Sequence, residues 1–239
     1  MMKKSKSDKT FSIVLPFYNE EDVVEEVVRS LILQCQKNGL SVKFVLVNNG
    51  SSDKTGEIIN RLKNEFEIIK TITIGKNKGY GYGIRRGLSI CDSPYIGYMW
   101  GDGQIKPIYL VRVAKELTHD SSLDLCKVVR VKRYDGLKRN LVTKIYNSLF
   151  SILFLMNERD VNGTPKLFKR SSYEKISLVS NDWFLDAELL IKAKSKKLSI
   201  KEIPAIFTPR AGGSSNVSYL TIFEFLFNIF RYRLKSIKS

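Results

Sequence analysis

Four short apolar runs in the first hundred residues each break off into a polar or glycine-rich loop, and helical periodicity fills the gaps between them. The runs are 11–17, 42–47, 68–74 and the one ending before Trp100. Val23, Val24, Val27, Val28, Leu31 and Ile32 recur at helical spacing up to Gly39, and Ile58, Ile59, Leu62 and Phe66 do the same further on. A third helix through Leu88 leads to the fourth run. Short runs bounded by turn formers are strands, and strands alternating with helices predict an α/β fold with a parallel sheet and right-handed crossovers. The loops at all four strand ends can then gather in one crevice, at the carboxyl edge where open α/β sheets collect ligands. A length of 239 residues suits one α/β domain with peripheral helices.

Residues 95–107, YIGYMWGDGQIKP, carry the most chemistry. The strand stops at Gly101, Asp102, Gly103 and Gln104, and Pro107 opens the next helix, 108–117. A carboxylate and an amide oxygen two residues apart, Asp102 and Gln104, can reach a hard divalent cation on a diphosphate; equally, Gly-Asp-Gly is ordinary surface-turn chemistry. Gly79-Tyr80-Gly81-Tyr82-Gly83 follows the third strand rather than the first and lacks the G-x-G-x-x-G spacing, so helix entry explains it better than a dinucleotide site.

After an apolar strand at 123–131 comes a basic region with Lys127, Arg130, Lys132, Arg133, Lys138, Arg139 and Lys144. Scattered lysines usually form a solvated face, whereas arginine forks can bind phosphate oxygens bidentately. The apolar stretch 149–156 follows directly, a combination suited to an amphiphile with a phosphate head. Asp186 and Glu188 sit on a helix start without sharing a face, which assigns them different tasks. Arg210 to Ser215 forms a loop able to fold over phosphates or, equally, to link to the C-terminal helix, and the lone His119 reads as solvated. The sequence offers no nucleophilic triad and no zinc set.

The net charge of +16 favours anionic partners such as diphosphates, lipid phosphates or an anionic membrane. Aromatics alternating with basic residues on exposed strands, the mark of a nucleic-acid binder, are not seen, so no nucleic-acid partner is expected. Cys35, Cys91 and Cys126 lack metal-ligand spacing and suggest a reducing compartment. The basic start is cut by Pro16 without a cleavage site, so no signal peptide is expected, and no segment reaches the ~20 apolar residues of a bilayer span. Stretches 141–156 and 217–234 come partway, interrupted by charged or polar residues.

Taken together, these residues resemble the family-2 GT-A glycosyltransferases, most closely the polyprenyl-phosphate branch typified by dolichol-phosphate mannose synthase, over residues 11–216. Pro16, Tyr18, Asn19 and Glu20 look like the family's nucleotide-binding turn. Asn48, Asn49, Gly50 and Ser51 stand where the family has Asp-Asp-Gly-Ser, with asparagines for both acids, and Asn77, Lys78 and Gly79 are similar to its Asn-x-Gly loop. Residues 98–107 occupy the place of the Asp-x-Asp-x-Gln metal motif, with Trp100 for the first Asp. Arg133, Arg139, Thr143 and Asn147 match the branch's acceptor-phosphate region. Asp160 to Arg170, with Lys166 for an arginine, resembles the following segment, and Phe184, Asp186, Glu188, Glu202-Ile203-Pro204 and Arg210 to Ser214 match its closing part.

The resemblance implies an α/β GT-A fold, a mostly parallel twisted sheet flanked by helices. A disordered basic tail (1–10), a glycosyltransferase domain (11–216) with an interface helix at about 140–157, and a C-terminal amphipathic helix (217–239) are expected. The implied activity is inverting, metal-assisted transfer of a sugar from a GDP- or UDP-sugar to a polyprenyl phosphate, peripherally at the cytoplasmic membrane face. Asp102 and Gln104 would hold Mg²⁺ or Mn²⁺, and Arg210 would add charge at the leaving diphosphate. Asp186 or Glu188 would hold sugar hydroxyls. Arg133, Arg139, Thr143 and Lys166 would place the acceptor phosphate, and a separate membrane protein is a possible tether. Two other readings share the fold: transfer to a sugar hydroxyl with Asp186 as base, and a nucleotide-sugar binder without catalysis.

Overall fold

A computed structural model describes residues 9–133, 137–156, 159–208 and Tyr232, with only the backbone described at 132–133 and 137–144. Seven strands form one sheet in the order β3-β2-β1-β4-β6-β5-β7. They are β1 (Phe11–Phe17), β2 (Val42–Asn48), β3 (Ile69–Thr73), β4 (Tyr95–Tyr98), β5 (Leu125–Arg133), β6 (Lys166–Lys169) and β7 (Ile200–Phe207). β1 runs parallel to β2 and β4, β2 to β3 and β5 to β7, while β6 is antiparallel to both its neighbours.

Alternation along the central strands fills both faces. Phe11, Ile13, Leu15 and Phe17 of β1, with Phe44 and Leu46 of β2, face α1 (Val24–Lys37), α2 (Thr55–Glu65) and α4 (Ile108–His119). Val14, Val45 and Val47 face α3 (Tyr80–Leu88) and α7 (Leu185–Ser195). A parallel sheet buried on both faces needs such near-continuous apolar strands. A smaller cluster joins α5 (Leu137–Phe154) to α7 through Tyr146, Phe150, Phe184, Ala187 and Leu190, and Tyr232 packs its ring 5.1 Å from Phe184. The short α6 (Arg170–Tyr173) follows β6 directly.

From β1 the chain steps to β2 and β3 on one side, then returns to place β4 on the other. The carboxyl ends of β1 and β4 therefore open onto the switch point, the crevice where such sheets bind ligands. The four strands read from the first hundred residues are present, with β3 shorter than its apolar run. β6 and β7 escaped the sequence reading. β6 has only four residues, and β7 carries Glu202 and Pro204 among its apolar residues, so neither shows a clean period.

Among the described residues no helix is long and apolar enough to cross a membrane. On α5 and just past it, Ile145, Ile152 and Leu155 are exposed, Leu155 by 78%. The expected tail, except Lys9 and Thr10, the Arg210 loop and the C-terminal helix, except Tyr232, lie outside the described residues.

Candidate functional site

A cleft of about 350 Å³ opens at the switch point, within the usual range for small-molecule sites. Pro16, Tyr18 and Glu20 from the end of β1, Asn49 after β2, and Asn77 and Gly79 before α3 line one part. Trp100, Asp102 and Gln104 after β4 line another, with Tyr80 and Trp183 between.

The polar turns after β1 and β2 first hold each other. Asn19, at φ 53°, accepts the Ser52 amide on Oδ1 at 2.9 Å, and its own amide donates to Ser51 Oγ at 3.0 Å. The Glu20 amide donates to Thr55 Oγ1, and Asn48 Oδ1 accepts the Ser51 amide at 3.0 Å. Gly50 sits at φ +81°, where a Cβ would lie 2.3 Å from the Asn77 nitrogen. Asn19, Asn48, Gly50 and Ser51, expected on the nucleotide, thus build the frame rather than the cleft wall, and Lys78 is exposed with its ammonium over the Tyr82 ring. Asn49 does line the cleft. Its Nδ2 donates to the Gly79 carbonyl at 3.1 Å, while its buried Oδ1 has no hydrogen-bond partner among the described residues. A buried acceptor left without a donor is costly, so a site for a ligand N–H or O–H is its natural reading.

The glycine loop serves close packing. A Cβ on Gly79 (φ +103°) would fall 2.2 Å from the Asn181 carbonyl oxygen, and one on Gly81 2.7 Å from those of Ser180 and Asp182. Tyr82 N donates to Asn181 O, and Arg85 Nη1 to Val179 O and Asn181 Oδ1. Segment 179–182 is thereby fastened to α3, and it delivers Trp183 to the cleft. Trp183 stacks on Tyr80 with ring centres 4.4 Å apart at 14°, and Trp100 Nε1 donates to Tyr80 Oη at 2.9 Å. Of this aromatic wall the sequence reading had singled out Trp100 alone. Trp183 next to the Asp186 region was the available signal for the rest.

Asp102 is 6% exposed and accepts the Gln104 amide on Oδ1 at 3.1 Å. Gly101 admits the Phe17 ring, which a Cβ would meet at 2.3 Å. The Gln104 backbone oxygen accepts the Thr208 amide at 2.9 Å, so the end of β7 docks beside the Asp102–Gln104 turn. Among the described residues no three His, Cys, Asp or Glu side chains gather as a metal site.

Three expected roles are corrected by burial. Lys166 has 0% side-chain exposure and donates to Asp186 Oδ1 at 2.5 Å, so it cannot meet an acceptor phosphate. Asp186, which also accepts the Tyr98 hydroxyl at 2.6 Å, is fully buried and absent from the cleft wall. Glu188 accepts the amides of Val179 and Ser180 and pairs with Lys192 at 2.6 Å, which makes it the clamp on the segment carrying Trp183. Burial lowers the Lys166 pKa to about 8 despite its partner Asp186. Burial and the nearby Asp186 charge push the hydroxyls of Tyr80 and Tyr98 well above the usual range. Arg133, Arg139 and Thr143 lie at the end of β5 and on α5, and their side chains are outside the described residues.

A sequence profile described as glycosyl transferase family 2 matches residues 12–177, well over half the chain. The chain belongs to glycosyl transferase family 2. Undecaprenyl-phosphate 4-deoxy-4-formamido-L-arabinose transferase from Salmonella paratyphi B is 24% identical over 222 residues, covering 92% of this chain; the Salmonella newport protein of the same name matches equally. The chain spans 66% of the length of these curated relatives. Among solved structures, glucosyl-3-phosphoglycerate synthase from Mycobacterium tuberculosis with phosphoglyceric acid superposes with TM-score 0.75 at 16% identity, over 95% of this chain and 79% of that one. The same enzyme with Mn²⁺, UDP and glucosyl-3-phosphoglycerate gives 0.74 at 17% identity, over 94% and 79%. The family-2 chain has the GT-A fold of these structures, with the antiparallel β6 set inside the sheet between β4 and β5.

Proposed function

We propose that this family-2 chain transfers a sugar from a nucleoside diphosphate to a polyprenyl phosphate at the cytoplasmic face of a membrane, with inversion at the anomeric carbon. The observation that carries the donor half is one cleft holding Asn49, with its unsatisfied buried acceptor, beside the Asp102–Gln104 turn. Asn49, Asn77 and the Pro16–Tyr18 turn would take the nucleoside, and Asp102 with Gln104 would face the diphosphate.

Trp100 in place of a carboxylate leaves Asp102 as the acidic group of the metal motif, with Gln104 beside it. Magnesium bound to substrate phosphates commonly takes only one or two protein carboxylates and keeps several waters, so this pair fits Mg²⁺ or Mn²⁺ resting mainly on the diphosphate. When bound, the ion supplies positive charge against the leaving group. Asp102 itself orients the turn by accepting the Gln104 amide, and the Gln104 carbonyl ties that turn to the Thr208 amide at the end of β7.

The acceptor half rests on the relatives named for undecaprenyl phosphate and on the exposed Ile145, Ile152 and Leu155, an apolar row suited to a lipid interface. A phosphate acceptor is already anionic and needs no strong base, which agrees with Asp186 being committed to Lys166 and Tyr98. Arg133, Arg139 and Thr143 remain the proposed phosphate contacts. The test is a donor panel: purified protein with Mg²⁺ or Mn²⁺, UDP- and GDP-sugars and a short polyprenyl phosphate in detergent, scored for lipid-linked sugar. Product with one donor supports the reading. Donor binding without lipid product would shift it to a glycan acceptor or a binder.

A further inference from the structure

The ends of α5 and α7 carry side chains that the packing of the fold does not use. α5 buries Tyr146 and Phe150 in the cluster it shares with Phe184, Ala187 and Leu190 of α7 and its approach. A second row on α5, Ile145, Leu149 and Ile152, repeats at helical spacing and is also apolar, with Ile152 70% exposed. A helix that is apolar beyond the stripe its own core covers has a further apolar surface to meet. Leu155 ends this row, 78% exposed and at φ 52°, the left-handed region that glycine or asparagine normally takes after a helix. Backbone conformation disfavours a leucine there and the core does not bury it.

The end of α7 meets α5 at the same spot, where Lys194 Nζ donates to the Leu155 carbonyl. Lys194, Lys196 and Lys197 are all exposed, and Lys196 and Lys197 have no ion-pair partner among the described residues. The two acids of α7, Asp186 and Glu188, are fully buried, so the helix sets no carboxylate beside these lysines. A helix end favours cations, which accounts for Lys192 and Lys194 in the last turn, but Lys196 and Lys197 lie past it. We infer that the apolar row of α5 and the lysines ending α7 form one docking surface for an anionic lipid bilayer. The aliphatic side chains enter the acyl boundary and the ammonium groups meet lipid phosphates, the two signals that stable peripheral attachment needs. A soluble polyanion would answer the lysines and leave Ile152 and Leu155 in water. The inference rests on the membrane-face reading above and adds the charge of the lipid and the residues that read it.

The full chain is sedimented with vesicles of phosphatidylcholine, alone or mixed with phosphatidylglycerol, neither carrying a polyprenyl phosphate. Wild type is expected to bind the mixed vesicles at least about tenfold more tightly, since each lysine at an anionic surface is worth about fivefold. Joint replacement by Lys194→Gln, Lys196→Gln and Lys197→Gln should erase that margin. Lys37→Gln, Lys63→Gln and Lys115→Gln together remove the same charge from exposed positions on α1, α2 and α4, across the sheet, and should preserve it. Leu155→Asn suits the left-handed backbone, so it should melt no earlier than wild type and still lose about tenfold on mixed vesicles. Equal wild-type binding to both vesicles overturns the inference and leaves the membrane-face reading standing. So does a control triple variant that binds as weakly as the α7 triple, because net charge alone then decides. Leu155→Asn binding like wild type reduces the contact to plain polyanion attraction and overturns it too. Failure to bind either vesicle overturns the inference and the membrane-face reading together, while the donor panel judges sugar transfer independently.

Discussion

Arg130 lies beneath Trp100 with its guanidinium over the indole, and Asp160 grips it from the far side through Nε at 2.7 Å and Nη2 at 2.6 Å. Both side chains are almost fully buried. An ion pair inside the protein thus forms the seat of the aromatic wall in the cleft. Lys127 extends it, donating to the Asp160 carbonyl and to Glu202.

Asp160→Asn should therefore cost about 3 kcal/mol at pH 7, because it leaves a buried guanidinium without its counter-charge. Burial alone would raise the Asp160 pKa, but the charge and hydrogen bonds of Arg130 outweigh it and hold the carboxyl below its usual range. A pKa lower in the folded than in the unfolded state gives stability that is complete above about pH 4 and is lost as pH falls toward the folded value. Denaturant melts from pH 7 to pH 2 check this. The wild type should lose more stability below pH 4 than Asp160→Asn does.

Asp102→Asn keeps an oxygen for the Gln104 amide and removes the charge. Transfer to polyprenyl phosphate is expected to fall at least about a hundredfold, with the melting temperature little changed. Turnover with saturating Mn²⁺ and a thermal melt of the same preparation check it. Wild-type turnover in this variant would remove Asp102 from the diphosphate site.

Glu188→Gln tests a clamp against a catalytic acid. The fully buried carboxylate holds the amides of Val179 and Ser180 and the Lys192 ammonium. Losing its charge should cost about 2 kcal/mol of stability and raise the donor KM by loosening Trp183. The shape of the pH–rate profile should stay unchanged. A lost limb in that profile would instead give Glu188 a proton-transfer role.

How much of this was legible in the sequence follows from which signals are local. β1, β2 and β4, with the turns after them, announce themselves because apolar runs meet turn formers within a few residues. Asp102 and Gln104 stand in the last of these turns, which is why their place at the cleft can be read locally. Lys166 and Glu188 misled because their chemistry suits a phosphate or a sugar, and nothing nearby in sequence reveals that Asp186 and the 179–180 amides consume them. Likewise the glycines at 79 and 81 read in the sequence as a helix entry. Their actual cause is a backbone a hundred residues away, which only tertiary contact exposes.

That cause can be tested at Gly79. Its φ of +103° is strained for any side chain, and a Cβ would collide with the Asn181 carbonyl at 2.2 Å, a backbone atom that cannot swing aside. Gly79→Ala should destabilise by about 2 kcal/mol or more and weaken nucleotide binding, since segment 179–182 and Asn49 both lean on this loop. Thermal melts and UDP or GDP titration measure the two effects. Gly75→Ala, where a Cβ meets nothing within 4 Å, is the control and should leave both near wild type.

Lys166 provides the sharpest separation of a buried partner from a phosphate ligand. Lys166→Met removes the ammonium and leaves Asp186 with the Tyr98 hydroxyl inside the protein, so stability should fall by about 3 kcal/mol at pH 7. The KM for polyprenyl phosphate should stay within about twofold, because no part of Lys166 reaches the surface. The pH dependence carries its own sign. Burial lowers the folded pKa from 10.5 to about 8, so between these values the unfolded chain binds more protons. The contribution of Lys166 to stability therefore rises as pH climbs from about 8 toward 10.5. Chemical denaturation of wild type and Lys166→Met across this range should show wild type gaining relative to the variant. A flat difference would mean that Lys166 keeps an ordinary lysine pKa, and a raised acceptor KM would return it to the acceptor site.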